Sequence, residues 1–140
     1  MAFLLDTNVV SELRKRTPHP HVLAWYQRNV AAHAYVSVLV LGEIRQGIER
    51  VRHRDAAQAE ALERWLEGLV AGYRDRILPV TADVAREWGR LAALPQPPPA
   101  VDGLMVATAR VHRLVLVTRN VGDVAGTGVP VVNPFEPARP

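Results

Sequence analysis

The stretch Phe3-Leu4-Leu5-Asp6-Thr7-Asn8-Val9-Val10-Ser11-Glu12-Leu13 decides the fold class. Phe3-Leu4-Leu5 reads as a short buried strand. Asp6-Thr7 ends it with side chains that cap helices, and Val9, Val10 and Leu13 then give the following segment an apolar side. A strand that runs straight into a helix is half of a β-α-β unit, so the question is whether the unit repeats.

It does, working outward. Pro20 to Val30 reads as a second helix with Val22, Trp25 and Tyr26 inward, and Tyr35-Val36-Ser37 as a second strand. Leu41, Ile44, Ile48 and Val51 then recur at i, i+3, i+7 and i+10, one face of a helix. Leu62, Leu66, Leu69, Val70 and Tyr73 form the stripe of another. Ile77-Leu78-Pro79-Val80 is a strand whose proline, lacking an amide donor, favours the sheet edge. Thr81 can cap a helix carrying Val84, Trp88, Leu91 and Ala92 on one side. Pro95-Gln96-Pro97-Pro98-Pro99 is a stiff connector. Ala100 to His112 is apolar almost all round, as a buried helix is. Leu114-Val115-Leu116-Val117-Thr118 is the clearest strand, and Val129 to Val132 the last. Such alternation predicts an α/β fold with a mostly parallel sheet and helices on both faces. Its 140 residues suit one domain, 1–140, with a tail that frays from about residue 134.

Bulk properties narrow the field further. The chain has no cysteine, so neither disulfides nor a thiolate zinc site hold it together. At 49% apolar and 22% charged residues it falls within ordinary globular ranges. No basic start leads into a long apolar run, and no run approaches the ~20 residues of a membrane helix, so the expected location is the cytoplasm. The net charge of +3 is an arginine excess, Lys15 being the one lysine. Arginine's planar fork suits phosphate. A nucleic-acid partner fits that excess, and so does a solvated basic surface.

In a parallel α/β sheet, ligands bind outside the carboxyl ends of the strands. Asp6 follows the first strand directly, and Asp123 comes a short loop after the strongest one. Glu43 lies near the start of the helix after the second strand, and Asp102 at the start of the buried helix. Taken singly, each has an ordinary alternative. Asp6 and Asp102 could be helix caps worth about 1 kcal/mol, Glu43 a solvated surface residue, and Asp123 a turn residue. Taken together, four converging carboxylates repel one another unless protons or a cation neutralise them. Mg²⁺ is held by a few carboxylates plus water and substrate phosphate, and the chemistry it serves in that setting is phosphodiester hydrolysis. The remaining patterns are weak. His19, His21, His33, His53 and His112 lack zinc-ligand spacing, with His19-Pro20-His21 expected as an exposed loop pair, and Gly126-Thr127-Gly128 reads as a turn.

The motifs around the acids resemble those of PIN-domain toxins of the VapC and FitB kind. Leu5-Asp6-Thr7-Asn8-Val9-Val10-Ser11-Glu12 resembles the family's opening, and Val36-Ser37 before Glu43-Ile44-Arg45-Gln46-Gly47 its second motif. Leu78-Pro79-Val80 with Ala85, Trp88, Gly89 and Leu91 resembles the middle segment. Val101-Asp102-Gly103-Leu104-Met105-Val106-Ala107-Thr108-Ala109 and Thr118-Arg119-Asn120-Val121-Gly122-Asp123 resemble the third and last acidic motifs, and Val132-Asn133-Pro134-Phe135 the ending. The resemblance implies a three-layer α/β/α PIN-like domain whose metal site is Asp6, Glu43, Asp102 and Asp123. Thr118 and Asn120 would support that site, and Arg119 is a candidate for contact with the substrate backbone. It further implies an Mg²⁺-dependent (or Mn²⁺-dependent) endoribonuclease acting on tRNA, rRNA or mRNA, restrained by a small antitoxin. Homodimers, paired further through the antitoxins, are part of the same expectation.

Two residues depart from the family's pattern. Val40 stands where many relatives carry threonine, and Val124 where an aromatic residue is common. A domain that binds RNA or protein without cutting would show degenerate acids, and here all four are present. Residue types do not separate RNA from DNA as substrate. The family likeness favours RNA.

Overall fold

A computed structural model describes residues 1–29 and 33–137. The elements are β1 (Phe3–Leu5), α1 (Thr7–Arg14), α2 (Pro20–Asn29), β2 (Ala34–Ser37), α3 (Val38–Arg52), α4 (Ala56–Tyr73), a 3-10 turn (Arg74–Arg76), β3 (Ile77–Leu78), α5 (Ala82–Ala92), α6 (Ala100–His112), β4 (Val115–Val117), α7 (Val121–Val124) and β5 (Val131–Val132). Val30, the expected last residue of the second helix, lies outside the described residues.

The five strands form one sheet in the order β3-β2-β1-β4-β5, and every described pairing is parallel. The order dictates the layers. From β1 the chain moves outward to β2 and then β3, and right-handed crossovers put the intervening helices on one face. From β3 it jumps back across to β4, so the next helices cover the opposite face. The packing agrees: α1 meets α2 and α3, and α3 meets α4, while α5 lies along α6, which meets α7 and β4. This is the three-layer α/β/α arrangement, and β3 holds a sheet edge as expected, but it stops at Leu78, so Pro79 and Val80 of the expected strand lie outside it.

The core is a slab of short aliphatic side chains. Leu4, Leu5, Val36, Leu116 and Val117 are fully buried between the layers, as the strands of a doubly covered parallel sheet must be. Val9, Val22, Val40 and Ile48 close on them from one side, and Val84, Met105 and Val106 from the other. Each such side chain contributes roughly 1.5–3 kcal/mol relative to exposure.

The helical stripes differ from expectation in detail. In α3 the core line is Val40, Ile44 and Ile48, with Leu41 only half-buried beside it. Val70 of α4 is 41% exposed and Ala92 of α5 is also exposed. A helix that packs mainly against one other helix buries a narrow stripe. Val70 stands one residue past Leu69, so it is turned out of that stripe by the ~100° step of the helix.

The tail is anchored further along than expected. Pro134 is buried, and Phe135 sits edge-on to His19 with ring centroids 5.5 Å apart. The Phe135 carbonyl accepts from His21 Nδ1 at 3.1 Å, and the Arg119 guanidinium lies over the Phe135 ring at 3.7 Å. Pro20 and His21 are exposed as expected, but they open α2 rather than lie in a loop, and His19 and His21 hold Phe135. Residues 138–140 of the expected fraying tail lie outside the described residues.

Candidate active site

The strand order reverses between β1 and β4, and the crevice outside their carboxyl ends is where such a sheet binds ligands. Asp6 and Thr118 flank that point. The Asp6 amide continues the ladder by donating to the Val117 carbonyl at 2.9 Å, which fixes Asp6 at the lip of β1. Its side chain, on a residue only 7% exposed, accepts from the Thr7 amide through Oδ1 (2.8 Å). Its Oδ2 accepts from Thr118 Oγ1 (2.7 Å) and Asn8 Nδ2 (3.4 Å). Thr118 is fully used: besides donating to Asp6, Oγ1 accepts from Asn8 Nδ2 (3.3 Å) and from the Asn120 amide (3.0 Å). Asp6 therefore does cap α1, and it also staples the end of β1 to the end of β4.

Glu43 sits on the second turn of α3. That helix is seated by the buried Ser37, whose Oγ accepts from the Leu39 amide at 3.0 Å. Glu43 is exposed, yet it is not a free surface residue. Its Oε1 accepts from Thr7 Oγ1 at 2.5 Å, tying α3 to α1 beside Asp6. Val40, where a polar neighbour was expected in relatives, is wholly in the core.

Asp102 overturns the capping alternative. The cap residue of α6 is Pro99, with no side-chain cap bond, and Asp102 lies in the first helical turn. Among the described residues its half-buried carboxyl has no hydrogen bond or ion pair. Burial pushes it above the usual carboxylate range, and the charges of Asp6, Asp123 and Glu43 push it in the same direction. The charges of three of the expected acids are felt at the fourth, so the four lie within electrostatic reach of one another at this edge of the sheet. The start of α6 is held rigidly there, because a Cβ on Gly103 would meet Trp88 Cδ1 at 3.2 Å and Pro98 Cγ at 3.4 Å.

Asp123 lies on the one-turn helix α7 rather than in a bare loop, and it is exposed, with its amide donating to the Asn120 carbonyl at 3.2 Å. Asn120 reaches the site through its backbone amide, which donates to Thr118 Oγ1; among the described residues its exposed side chain has no hydrogen bond. Arg119 does not pair with the carboxylates: its amide donates to Asn8 Oδ1 at 3.2 Å and its guanidinium stacks on Phe135. Arg45 and Arg52 of α3 are committed to Glu49, Glu60 and Glu63. Arg50 and Arg54 of the same region carry no such ion pair among the described residues.

Sequence reasoning passed over Asn8 and the hydroxyl of Thr7, which hold Asp6, Thr118 and Glu43 in place. The available signal was their place in the first turn of a helix that starts at a strand's carboxyl end, where polar side chains face the crevice.

The donor set suits a small hard cation. A carboxylate offers about four lone-pair sites, so Asp6 with three acceptor contacts keeps roughly one, and Asp102 keeps all of its own. Helices α1, α3 and α6 all begin at this edge, and the positive ends of their dipoles offset part of the acids' repulsion. Among the described residues no three His, Asp or Glu side chains close on one point as a finished cage. Mg²⁺ needs none, since it keeps several waters and takes one or two direct carboxylates.

A parallel α/β/α sandwich with acids gathered at its topological switch point defines the class. The PIN domain family model matches residues 3–122, and the chain belongs to that family. It is 31% identical to VapC ribonuclease Y4jK of Sinorhizobium fredii, over 96% of this chain and 99% of that protein. It is 32% identical to Toxin FitB of Neisseria gonorrhoeae, over 94% and 97%. The crystal structure of FitAcB from N. gonorrhoeae superposes with a TM-score of 0.87 at 30% identity, covering 95% of this chain and 98% of that one. DNA-bound VapBC from Salmonella typhimurium, 21% identical over 96% and 98%, shares the fold at a TM-score of 0.76.

Proposed function

We propose that this chain is the toxin of a type II toxin–antitoxin pair, an Mg²⁺-dependent endoribonuclease whose centre is Asp6, Glu43, Asp102 and Asp123. The observation that carries the proposal is the unpartnered Asp102 carboxyl, raised first by burial and then by its three acidic neighbours. A fold keeps such an arrangement against its own stability when the site has work to do. The relatives' names, VapC ribonuclease and Toxin FitB, support RNA hydrolysis and a toxin's role, and a structural neighbour described as a toxin–antitoxin complex from Klebsiella pneumoniae supports a restraining partner.

Asp6 and Asp102 would hold the cation, with Asp123 completing the site directly or through water. Bound there, Mg²⁺ or Mn²⁺ supplies Lewis acidity at the scissile phosphate. Thr118 and Asn8 fix the Asp6 carboxylate, and Asn120 fixes Thr118, so the ligand needs little reorganisation. Glu43, oriented by Thr7, would align the attacking water and take its proton as the water oxygen bonds to phosphorus, while the bond to the leaving ribose oxygen breaks and that oxygen takes up a proton from solvent. No helix of the described residues is long and apolar enough to cross a membrane. The reading places the enzyme in the cytoplasm as a homodimer, with a small cognate antitoxin closing the acidic crevice.

The test is cleavage of matched RNA and DNA by purified protein in Mg²⁺ or Mn²⁺, with Asp6→Asn and Asp102→Asn alongside. RNA cleavage that EDTA and either substitution abolish is the expected result. Activity surviving EDTA or both substitutions refutes the metal centre, and cleavage of DNA alone refutes the substrate. Growth arrest on expression, rescued by a short neighbouring reading frame, tests the antitoxin.

A further inference from the structure

Right-handed crossovers leave one part of the sheet thinly covered. Helices α1 to α4 lie over β1, β2 and β3, while β5 ends the sheet on the far side. Between α2 and β5 this leaves a groove of about 670 Å³, within the ~300–1,000 Å³ of ordinary ligand sites. Its lining includes Trp25 and Arg28 of α2, Arg119 after β4, and Asn133, Pro134 and Glu136 after β5. Val121 and Gly122 also line it, so the groove runs up to the helix that carries Asp123.

The chemistry of the lining is mixed in a definite way. The indole of Trp25, largely buried and held edge-on to Phe3 at 5.1 Å, and the buried Pro134 form the apolar floor of the groove. Arg119 is held over Phe135, which orients its guanidinium without neutralising it. Among the described residues Arg28 is exposed and has no ion pair or hydrogen bond. Two arginines against the single carboxylate of Glu136 leave the described lining at +1. Apolar walls for a sugar or base and guanidinium groups not spent on ion pairs are what single-stranded nucleic acid needs, and the Asn133 side chain beside them is fixed by accepting from the Phe135 amide at 3.0 Å.

We propose that the groove between α2 and β5 is a subsite for one nucleotide of the RNA strand beside the acidic crevice, with Arg28 and Arg119 holding its phosphate. The inference rests on the ribonuclease reading above. It explains why Arg119 turns away from the carboxylates: the strand is gripped to one side of the centre, and the crevice itself stays free for the cation and the scissile phosphate.

The test measures binding apart from cleavage. Short fluorescent oligouridylate is titrated against full-length protein in an Asp102→Asn background, across a range of salt. Adding Arg28→Ala should weaken binding about fivefold at low salt and reduce the slope of log K against log salt by ~0.7, the value for one phosphate contact on a single strand. Arg28→Lys should restore most of the slope, and Glu136→Gln should tighten binding. Unchanged affinity and slope in Arg28→Ala, with cleavage by the otherwise unaltered enzyme intact, overturns the subsite and leaves the ribonuclease reading standing. So does weakened capture of the antitoxin with RNA affinity untouched, which would give the groove to an acidic protein segment. If no RNA is bound or cut under any condition, the ribonuclease reading itself fails.

Discussion

Asp6 and Asp102 should respond in opposite ways to removal of their charge, although both are assigned to the cation. Asp6 is structurally employed. Asp6→Ala removes the cap bond to the Thr7 amide, worth about 1 kcal/mol. It also removes the 2.7 Å charge-assisted bond from Thr118 Oγ1, worth about 1.5–3 kcal/mol, at a threonine only 1% exposed. Some repulsion with Asp102 is relieved, so the net loss is roughly 2–4 kcal/mol, or about 10 °C in melting temperature for a chain of this size. Asp102 has no bond to lose among the described residues and three like charges to escape. Solvent screens part of that repulsion, so Asp102→Asn should gain between zero and about 1 kcal/mol. Thermal melts followed by circular dichroism in EDTA, then in saturating Mg²⁺, check both halves. Wild type should gain about 2.7 kcal/mol at a hundredfold excess over Kd, and neither variant should. Destabilisation of Asp102→Asn by more than 2 kcal/mol in EDTA, or its stabilisation by Mg²⁺ to the wild-type extent, would refute the reasoning.

Three further substitutions probe the frame around the centre. Thr118→Val keeps the shape but orphans the Asn120 amide and frees the Asp6 carboxylate. It should cost about 2–3 kcal/mol in a urea melt and lower kcat for RNA cleavage more than it changes KM. Gly103→Ala forces a methyl to 3.2 Å from Trp88 Cδ1 and 3.3 Å from Nε1, so it should cost about 1–2 kcal/mol and reduce kcat by shifting Asp102. Glu12 is buried, and its carboxylate accepts from Lys15 Nζ (3.0 Å) and the His19 amide (2.9 Å). Those bonds hold it below the usual carboxylate range, the Lys15 bond being the larger cause. A depressed folded-state value stabilises the fold above the unfolded-state pKa, and that stability is lost as pH falls through the folded one. Glu12→Gln should therefore lower stability at neutral pH and flatten the loss between pH ~5 and the acid limit, as read by melting temperature against pH.

The alternation of strand and helix was legible because strands buried on both faces read as unbroken apolar runs, Phe3-Leu4-Leu5 and Leu114 to Val117 above all. Ends were less legible. The expected last strand began at Val129, but Pro130 has no amide to add to the ladder, and β5 is confined to Val131–Val132. Adjacent apolar residues also mislead, since Leu69 and Val70 cannot both face one neighbour. The four acids could be gathered from strand-end placement and family likeness. Their differing states could not, because each depends on partners remote in sequence. Thr118 lies 112 residues from Asp6, and the carbonyl that engages His21 lies 114 residues from it. An aspartate in the first turn of a helix looks like a cap in any sequence. Only the packed loop before α6, with Pro99 at the cap, shows that Asp102 is not one.

That difference among the acids divides labour within the crevice. Asp6 and Glu43 are restrained by donors from Thr7, Asn8 and Thr118, whereas Asp102 and Asp123 have no described side-chain partner. The restrained pair belongs to the cap of α1 and to α3, on one face of the sheet, and the unrestrained pair to α6 and α7, on the other. A cation in the crevice would therefore bridge the two layers, drawing the second pair toward a first that is already set. Such a bridge would contribute stability that the bare fold lacks, and it would compete with the proton that the raised Asp102 carboxyl favours. Cation binding should then weaken as pH falls and release protons as it occurs, which ties stability, acidity and activity to the same unpartnered carboxylate.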